Sequence, residues 1–368
     1  MTYVWIIAGW ISGWILLSGM KPLSYSLKRS SPRKEDSKIL TSVSIIIPAR
    51  NEEHNIAALL RSLKQQTFQP VEIIVVNDGS TDRTAEVAAS FQAKVVDPGA
   101  LPSGWLGKSH ACAKGAELAK GDVFVFLDAD ITLSPKGLEI VMSRYTDGLL
   151  SVQPYHLMRC SYEQWSAFFN VIVSASVGSG IDGTGAFGPC IVCSRESYKE
   201  SGGHERVKGE ILDHHALGIC FAKSGYLVRN YIGTSAVFFR MYPSGWNSLW
   251  KGWSKSMASG AAATRLTRLL PVIIWIMGLT TVCTYFIHSL SAGTLVAGAV
   301  IYVLYSLQLA VLLRRVGNFR WWSWAFYPLP LLFFLFLFAG SLLMTFVNKK
   351  VKWKGREIEL HRQTEDEM

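Results

Sequence analysis

Two apolar runs in this chain end in carboxylates: Val71-Glu-Ile-Ile-Val-Val-Asn-Asp78-Gly79-Ser80 and Val123-Phe-Val-Phe-Leu-Asp128-Ala129-Asp130. Residues two apart on a strand point to the same face, so Asp128 and Asp130 present their oxygens side by side where the strand leaves its sheet. Paired carboxylates are hard donors that suit Mg2+ or Mn2+. A cation held there can bridge the two phosphates of a nucleoside diphosphate and act as a Lewis acid for its departure.

These side chains need a frame, and the apolar pattern supplies one. Residues 43–48 form a short β-branched run that predicts a buried strand, and residues 53–65 carry Ile56, Leu59, Leu60 and Leu63 at helical spacing. A strand over 71–76 and a helix over 81–91 follow, the latter opened by the Ser80, Thr81, Asp82 cluster. A strand over 94–97, a helix over 109–120 and the strand from Val123 complete the alternation. It predicts an α/β domain with right-handed crossovers and ligand bound beyond the carboxyl ends of the strands, where Asp78, Asp128 and Asp130 fall. Gly104-Trp105-Leu106-Gly107-Lys108 precedes a helix, so Lys108 either faces a diphosphate or is a solvated surface lysine. Residues 178–188 are glycine-rich and read as a mobile or close-approach loop.

Composition places this domain, over residues 41–260, against a membrane. With 368 residues, 49% of them hydrophobic, and a mean hydropathy of +0.23, the chain is too apolar for an ordinary soluble enzyme and too charged for a membrane bundle. Residues 1–20 are almost unbroken apolar sequence, which as a helix reaches roughly 30 Å, a bilayer core. A signal peptide is the alternative, but a basic start and a small-residue cleavage pattern are both missing. Lys21, Lys28, Arg29, Arg33 and Lys34 crowd the linker at 21–40, and the positive-inside bias then places the following domain in the cytoplasm.

The region 269–347 is apolar again, in runs 269–290, 294–313 and 321–347, and a basic tail occupies 348–368. The first two runs read as a hairpin based at Arg265, Arg268, Arg314 and Arg315. The third, about 27 residues with Pro328 and Pro330 inside, is too long for one upright span and too short for two, so a tilted or broken segment is implied, and a re-entrant or interfacial arrangement with a cytosolic tail is expected. The expectation is a multi-pass protein of the cell membrane. The formal charge of +10 gathers at membrane-flanking clusters and suits anionic lipid head groups; no nucleic-acid motif accompanies it, so nucleic acid is not expected as a partner. Six scattered cysteines fit a reducing compartment, and Cys190 and Cys193 lack the second pair a zinc site requires.

Pro48-Ala49-Arg50-Asn51-Glu52-Glu53, Asn77-Asp78-Gly79-Ser80 and Asp128-Ala129-Asp130, in that order and each after a strand, resemble the motifs of family 2 glycosyltransferases. The resemblance implies a GT-A fold, that is, a Rossmann-like, mostly parallel sheet, here joined to transmembrane helices. It also implies a UDP-sugar donor, bound by Ala49, Arg50, Glu52, Asp78, Lys108 and Asp128, with a divalent cation (Mg2+ or Mn2+) on Asp130 and Asp128. The family's base is an acid just ahead of a short helix. Asp213 takes that place with Glu210 as its rival, although Leu212 stands where many relatives have a second acid, and a plain helix-start aspartate is the bland reading. His204, Trp250, Lys251 and Trp253 correspond to the part that closes over diphosphate and acceptor. The Trp and Lys residues also suit a helix lying in the head-group layer.

Residues 151–156, 186–189, 202–204, 239–242 and 353–356 carry the likeness further, towards the glycosyltransferases of bacterial carotenoid pathways of the staphyloxanthin type. That likeness implies transfer of glucose from UDP-glucose, with inversion, to the terminal carboxylate of a C30 carotenoid. A hydroxyl of another membrane lipid (hopanoid, ceramide or diacylglycerol type) is the alternative. A carboxylate acceptor is already ionised at neutral pH and needs no base, which would leave Asp213 to orient the sugar or to stabilise positive charge at its anomeric carbon.

Overall fold

The computed structural model describes residues 1–25, 42–177, 180–181, 185–347, 350–353 and 356–359. Lys28, Arg29, Arg33 and Lys34, much of the glycine-rich stretch and the end of the basic tail lie outside the described residues. Helix α1 (Thr2–Ser18) leads into the catalytic domain. Strands β1 (Val43–Ala49), β2 (Glu72–Asn77), β3 (Lys94–Val96) and β4 (Val123–Leu127) are connected by α2 (Ile56–Lys64), α3 (Thr84–Ser90) and α4 (Gly107–Leu118). Next come β5 (Ile131–Leu133), α5 (Gly137–Arg144), β6 (Leu149–Gln153), β7 (Tyr155–His156), α6 (Ala167–Val177), β8 (Gly180–Ile181), β9 (Cys190–Ser194), α7 (Arg195–Glu200), α8 (Asp213–Lys223), β10 (Val228–Ile232) and β11 (Val237–Phe239).

Eight strands form one sheet in the order β3-β2-β1-β4-β9-β6-β10-β8, and β5, β11 and β7 form a small second sheet. The first four strands are mutually parallel, as the alternation predicts, whereas β9 runs antiparallel to both β4 and β6. The strict alternation therefore stops at β4, and the sheet is mixed. Side chains alternate across it. Ile45 and Ile47 join Val75, Val125 and Leu127 in a core beneath α2 and α5, while Ile46 joins Ile74, Val76, Phe124 and Phe126 beneath α4 and α8. Both faces are covered, and each fully buried aliphatic side chain contributes about 1.5–3 kcal/mol. The two cores lock the strands in register and so fix the positions of the loops at their carboxyl ends.

The rest of the chain is helical: α9 (Trp246–Ala263), α10 (Leu266–Ser289), α11 (Leu295–Val316), α12 (Trp321–Ala325) and α13 (Pro328–Val347), before a hairpin of β12 (Lys350–Trp353) and β13 (Arg356–Glu359). Among the described residues α10 and α11 are long and apolar enough to cross a membrane. The third apolar run is broken after α12, and α13 starts at Pro328, a position where proline's missing N–H leaves no hydrogen bond unmade. Helix α1 lies against α10 at a glycine contact: a Cβ on Gly9 would come within 2.6 Å of the Gly278 Cα. Two polar ties join α1 to the neighbouring α11. The Tyr305 hydroxyl donates to the Ile6 carbonyl, and the Gln308 amide donates to that of Trp10 at 2.7 Å. In apolar surroundings, small residues and such hydrogen bonds hold helices together where the hydrophobic effect cannot.

Candidate active site

The turns after β1 and β2 are stitched into a single wall. Asn51 donates its backbone N–H to Ser80 Oγ and accepts from the Thr81 N–H through its side chain, while the Glu52 N–H donates to Thr84 Oγ1 at 2.8 Å. Arg50 reaches back along this wall, donating from Nη1 to the Asp78 carbonyl at 2.9 Å and lying 3.7 Å from its carboxylate. Asp78 is thereby held in place, 6% exposed, with its backbone N–H bonded to Ala49.

The opposite wall comes from the start of α4. There the Lys108 Nζ lies 2.6 Å from Asp128 Oδ1 at the tip of β4, and the preceding loop is tied down by the Leu106 N–H donating to the Lys208 carbonyl. The third wall is residues 210–214. Asp213, the first residue of α8 and 5% exposed, receives the Ser109 hydroxyl at 3.4 Å and lies 3.2 Å from His214 Nδ1. These walls enclose a cleft of about 490 Å3, which Ala49, Asp130, Trp105 and Ile211 also line.

Six carboxylates face this space (Glu52, Asp78, Asp128, Asp130, Glu210, Asp213) against the two permanent cations Arg50 and Lys108. The consequences are visible in the titrating groups. Burial, and then the charges of Asp128 and Glu52, push the Asp130 carboxyl well above the usual range, with Lys108 opposing. Burial works the same way on Asp213, but the hydrogen bond from His214 and the charge of Lys108 outweigh it and hold that carboxyl well below the usual range. Burial disfavours the charged form of Lys108, yet Asp128 and Asp213 together raise it far above an ordinary lysine, so it stays an ammonium ion. Hard oxygen donors with excess negative charge fit a divalent cation. Among the described residues no three acidic, His or Cys side chains form a group that could hold one by themselves.

Of the residues expected from sequence, Ala49, Arg50, Glu52, Asp78, Lys108, Asp128, Asp130 and Asp213 all line this cleft. His204, Trp250, Lys251 and Trp253 do not. His204 lies beneath the floor, 3% exposed, its Nδ1 2.9 Å from the Tyr198 hydroxyl and its ring against Phe126; burial lowers its pKa to about 4. Trp253 is buried in the seam between α6 and α9, stacked on Phe169 at 4.7 Å with its indole N–H donating to Ser166. Trp250 and Lys251 are exposed on α9, Trp250 beside Phe333 and Phe336 of α13. The helical period carries a signal that separates the two tryptophans: Leu249, Trp253 and Met257 recur every four residues on the buried face, leaving Trp246 and Trp250 outside. Sequence reasoning gave neither His214, one of eight histidines, nor Trp105 a role, though both line the cleft.

A Rossmann-like sheet with acidic residues converging beyond the carboxyl ends of β1, β2 and β4 defines a glycosyltransferase of the GT-A type. The glycosyl transferase family 2 model matches residues 44–171, the segment that carries these strands. Along most of its length the chain is similar to the 4,4'-diaponeurosporenoate glycosyltransferase of Staphylococcus aureus (strain USA300), 38% identical over 341 residues and covering 88% of this chain and 89% of that one. With that likeness, the chain belongs to glycosyl transferase family 2. Its fold is similar to that of a mannosyltransferase of Pyrobaculum calidifontis solved with GDP-mannose and Mn2+, with a TM-score of 0.56, 16% identity and coverage of 95% of this chain and 97% of that one.

Proposed function

We propose that this enzyme transfers glucose from UDP-glucose, with inversion, to the carboxylate of a C30 carotenoid, 4,4'-diaponeurosporenoate, forming a glycosyl ester at the cytoplasmic face of the cell membrane. The observation that carries this reading is the 38% identity, over nearly the whole of both chains, to a relative named for that acceptor. In this reading the wall of Ala49, Arg50, Glu52 and Asp78 receives the nucleoside. Lys108 receives the diphosphate, and Asp128 and Asp130 hold a Mg2+ or Mn2+ ion. When bound, that ion supplies Lewis-acid stabilisation of the charge that develops on UDP. One acceptor carboxylate oxygen forms the bond to the anomeric carbon while the bond from that carbon to the diphosphate breaks, and the electron pair leaves with UDP.

The electrostatics of Asp213 support a carboxylate acceptor. A carboxyl held far below the usual range is a weak base, poorly matched to removing a proton from an alcohol. A carboxylic acid is already ionised near neutral pH and requires no such base. The second reading, transfer to a lipid hydroxyl, draws on the position of Asp213 beside Ser109 and His214 in the cleft.

The two long apolar helices support a membrane placement. Arg265 and Arg268 stand at the start of α10, and Arg314 and Arg315 at the end of α11, so the hairpin's ends share one positively charged side, proposed as cytoplasmic. The catalytic domain is assigned to 41–260, with membrane segments at 1–20 and 269–347. The test is to incubate purified enzyme with labelled UDP-glucose and either the carotenoid acid or hydroxyl lipids, with and without EDTA, and to identify products by mass spectrometry. A glucosyl ester that EDTA abolishes is expected. Product on hydroxyl lipids alone would replace the carotenoid reading, and an undiminished rate in EDTA would remove the cation from it.

A further inference from the structure

An anionic acceptor enters this cleft against charge, because six carboxylates line it and the donor's diphosphate adds more. Three described lining side chains can carry positive charge: Arg50, Lys108 and His214. Two of them are engaged on the donor walls, Arg50 with Asp78 and Lys108 with Asp128. His214 stands on the third wall, beside Glu210 and Ile211.

The imidazole of His214 is held from two sides. Asp213 Oδ1 lies 3.2 Å from its Nδ1 and also accepts its backbone N–H at 2.8 Å. Behind the ring runs the backbone of Gly188, where a Cβ would come within 2.9 Å of Nδ1 and 3.0 Å of Cγ, so no larger residue fits at 188 with the ring in this place. With Nδ1 committed to Asp213, Nε2 is the ring atom left for a ligand. A buried carboxylate behind an imidazole fixes its tautomer and orientation and strengthens it as a donor.

We propose that His214, oriented by Asp213 and seated on Gly188, donates from Nε2 to the acceptor's carboxylate and so selects an acid over the corresponding alcohol. This rests on the carboxylate-acceptor reading above. One carboxylate oxygen is held by His214 and the other attacks the anomeric carbon; no proton moves in the step. An alcohol gives His214 no anion to grip and gives Asp213 a proton it accepts poorly.

The experiment uses the full chain in detergent, UDP-glucose, and two acceptors sharing one polyene, the first ending in a carboxylic acid and the second in a primary alcohol. Wild type is compared with His214→Ala, His214→Gln and Gly188→Ala. In His214→Ala the acid-to-alcohol ratio of kcat/KM falls about 30-fold, mainly through the acceptor KM, as expected for loss of one charge-assisted hydrogen bond. Gln, which keeps an N–H at similar reach, recovers part of the ratio, and Gly188→Ala lowers it by displacing the ring. The KM for UDP-glucose changes by less than about twofold throughout. If wild type uses the acid but His214→Ala loses activity on both acceptors equally, or the KM for UDP-glucose rises, His214 is not the selector and the carotenoid reading stands. If wild type does not use the acid, that reading fails, and this one with it.

Discussion

Replacing Lys108 by methionine tests whether the cleft is an electrostatically unbalanced cation site. The ammonium lies 2.6 Å from Asp128 and also offsets Asp213. At that separation, and with an effective dielectric constant near 20, the pair alone attracts by roughly 6 kcal/mol before desolvation is counted. Removing one partner of such a pair typically costs about 3–5 kcal/mol. Both side chains retain 28% exposure, so water supplies some relief and the lower figure, about 3 kcal/mol, is expected. In a chain this long, that corresponds to a fall in unfolding temperature of about 6 °C in EDTA, at roughly 2 °C per kcal/mol. Mn2+ at about a hundred times its dissociation constant returns roughly 2.7 kcal/mol to any form that binds it. The variant, with Asp128 stripped of its own counter-charge, should bind the ion more tightly than wild type and regain more of its loss at equal Mn2+. The assay is thermal unfolding in detergent at fixed pH across a Mn2+ titration. The folded pKa of Lys108 is raised, so its contribution is complete below the unfolded value of 10.5 and constant near neutrality. An unchanged unfolding temperature in EDTA, or a cation response no larger than that of wild type, would refute the reasoning.

The packing sets the outcome of four further substitutions. His204 has a pKa lowered from 6.5 to about 4, so the stability its neutral form supplies is complete above 6.5 and is lost as pH falls from 6.5 towards 4; His204→Asn should flatten that limb of a stability-pH profile, which otherwise spans about 3 kcal/mol. Trp253→Ala should cost about 3–5 kcal/mol of stability in detergent. Trp250→Ala should cost under about 1 kcal/mol in the same assay, because the residue is 42% exposed. Gly9→Leu should detach α1 from α10 and lower the unfolding temperature, whereas Ile11→Leu, exposed on the same helix, should change it little; equal effects would show that the glycine seam is not what holds α1.

Much of the cleft around Asp78 and Asp128 was legible because it is built at strand ends that the local pattern already marks. The runs ending at Ala49, Asn77 and Leu127 are apolar enough to name as strands, and their carboxylates fall where a parallel sheet must bind ligand. Direction is a different matter. Cys190–Ser194 is an apolar stretch like the others, and nothing in its five residues states that it runs antiparallel between β4 and β6; only the completed sheet does. Burial was equally hidden for His204, which sits among polar and glycine residues in sequence but against Phe126 and Tyr198 in space.

The residues that sequence reasoning resolved least are those whose chemistry depends on a partner far along the chain. Asp213 is a helix-start aspartate by its neighbours, yet Lys108, more than a hundred positions earlier, is part of what holds it ionised. His214 is one of eight histidines until Gly188 is seen behind its ring. In the reading proposed here the Arg50–Asp78 and Lys108 walls receive the donor, and each is built from a short local motif beside a strand end. The wall at 210–214 meets the acceptor in the reading proposed here, and its specificity arises from a contact among β4, α4, α8 and the approach to β9 that no single motif encodes. Substitutions there should redirect the enzyme among acceptors, while those on the Arg50–Asp78 wall should weaken every reaction alike.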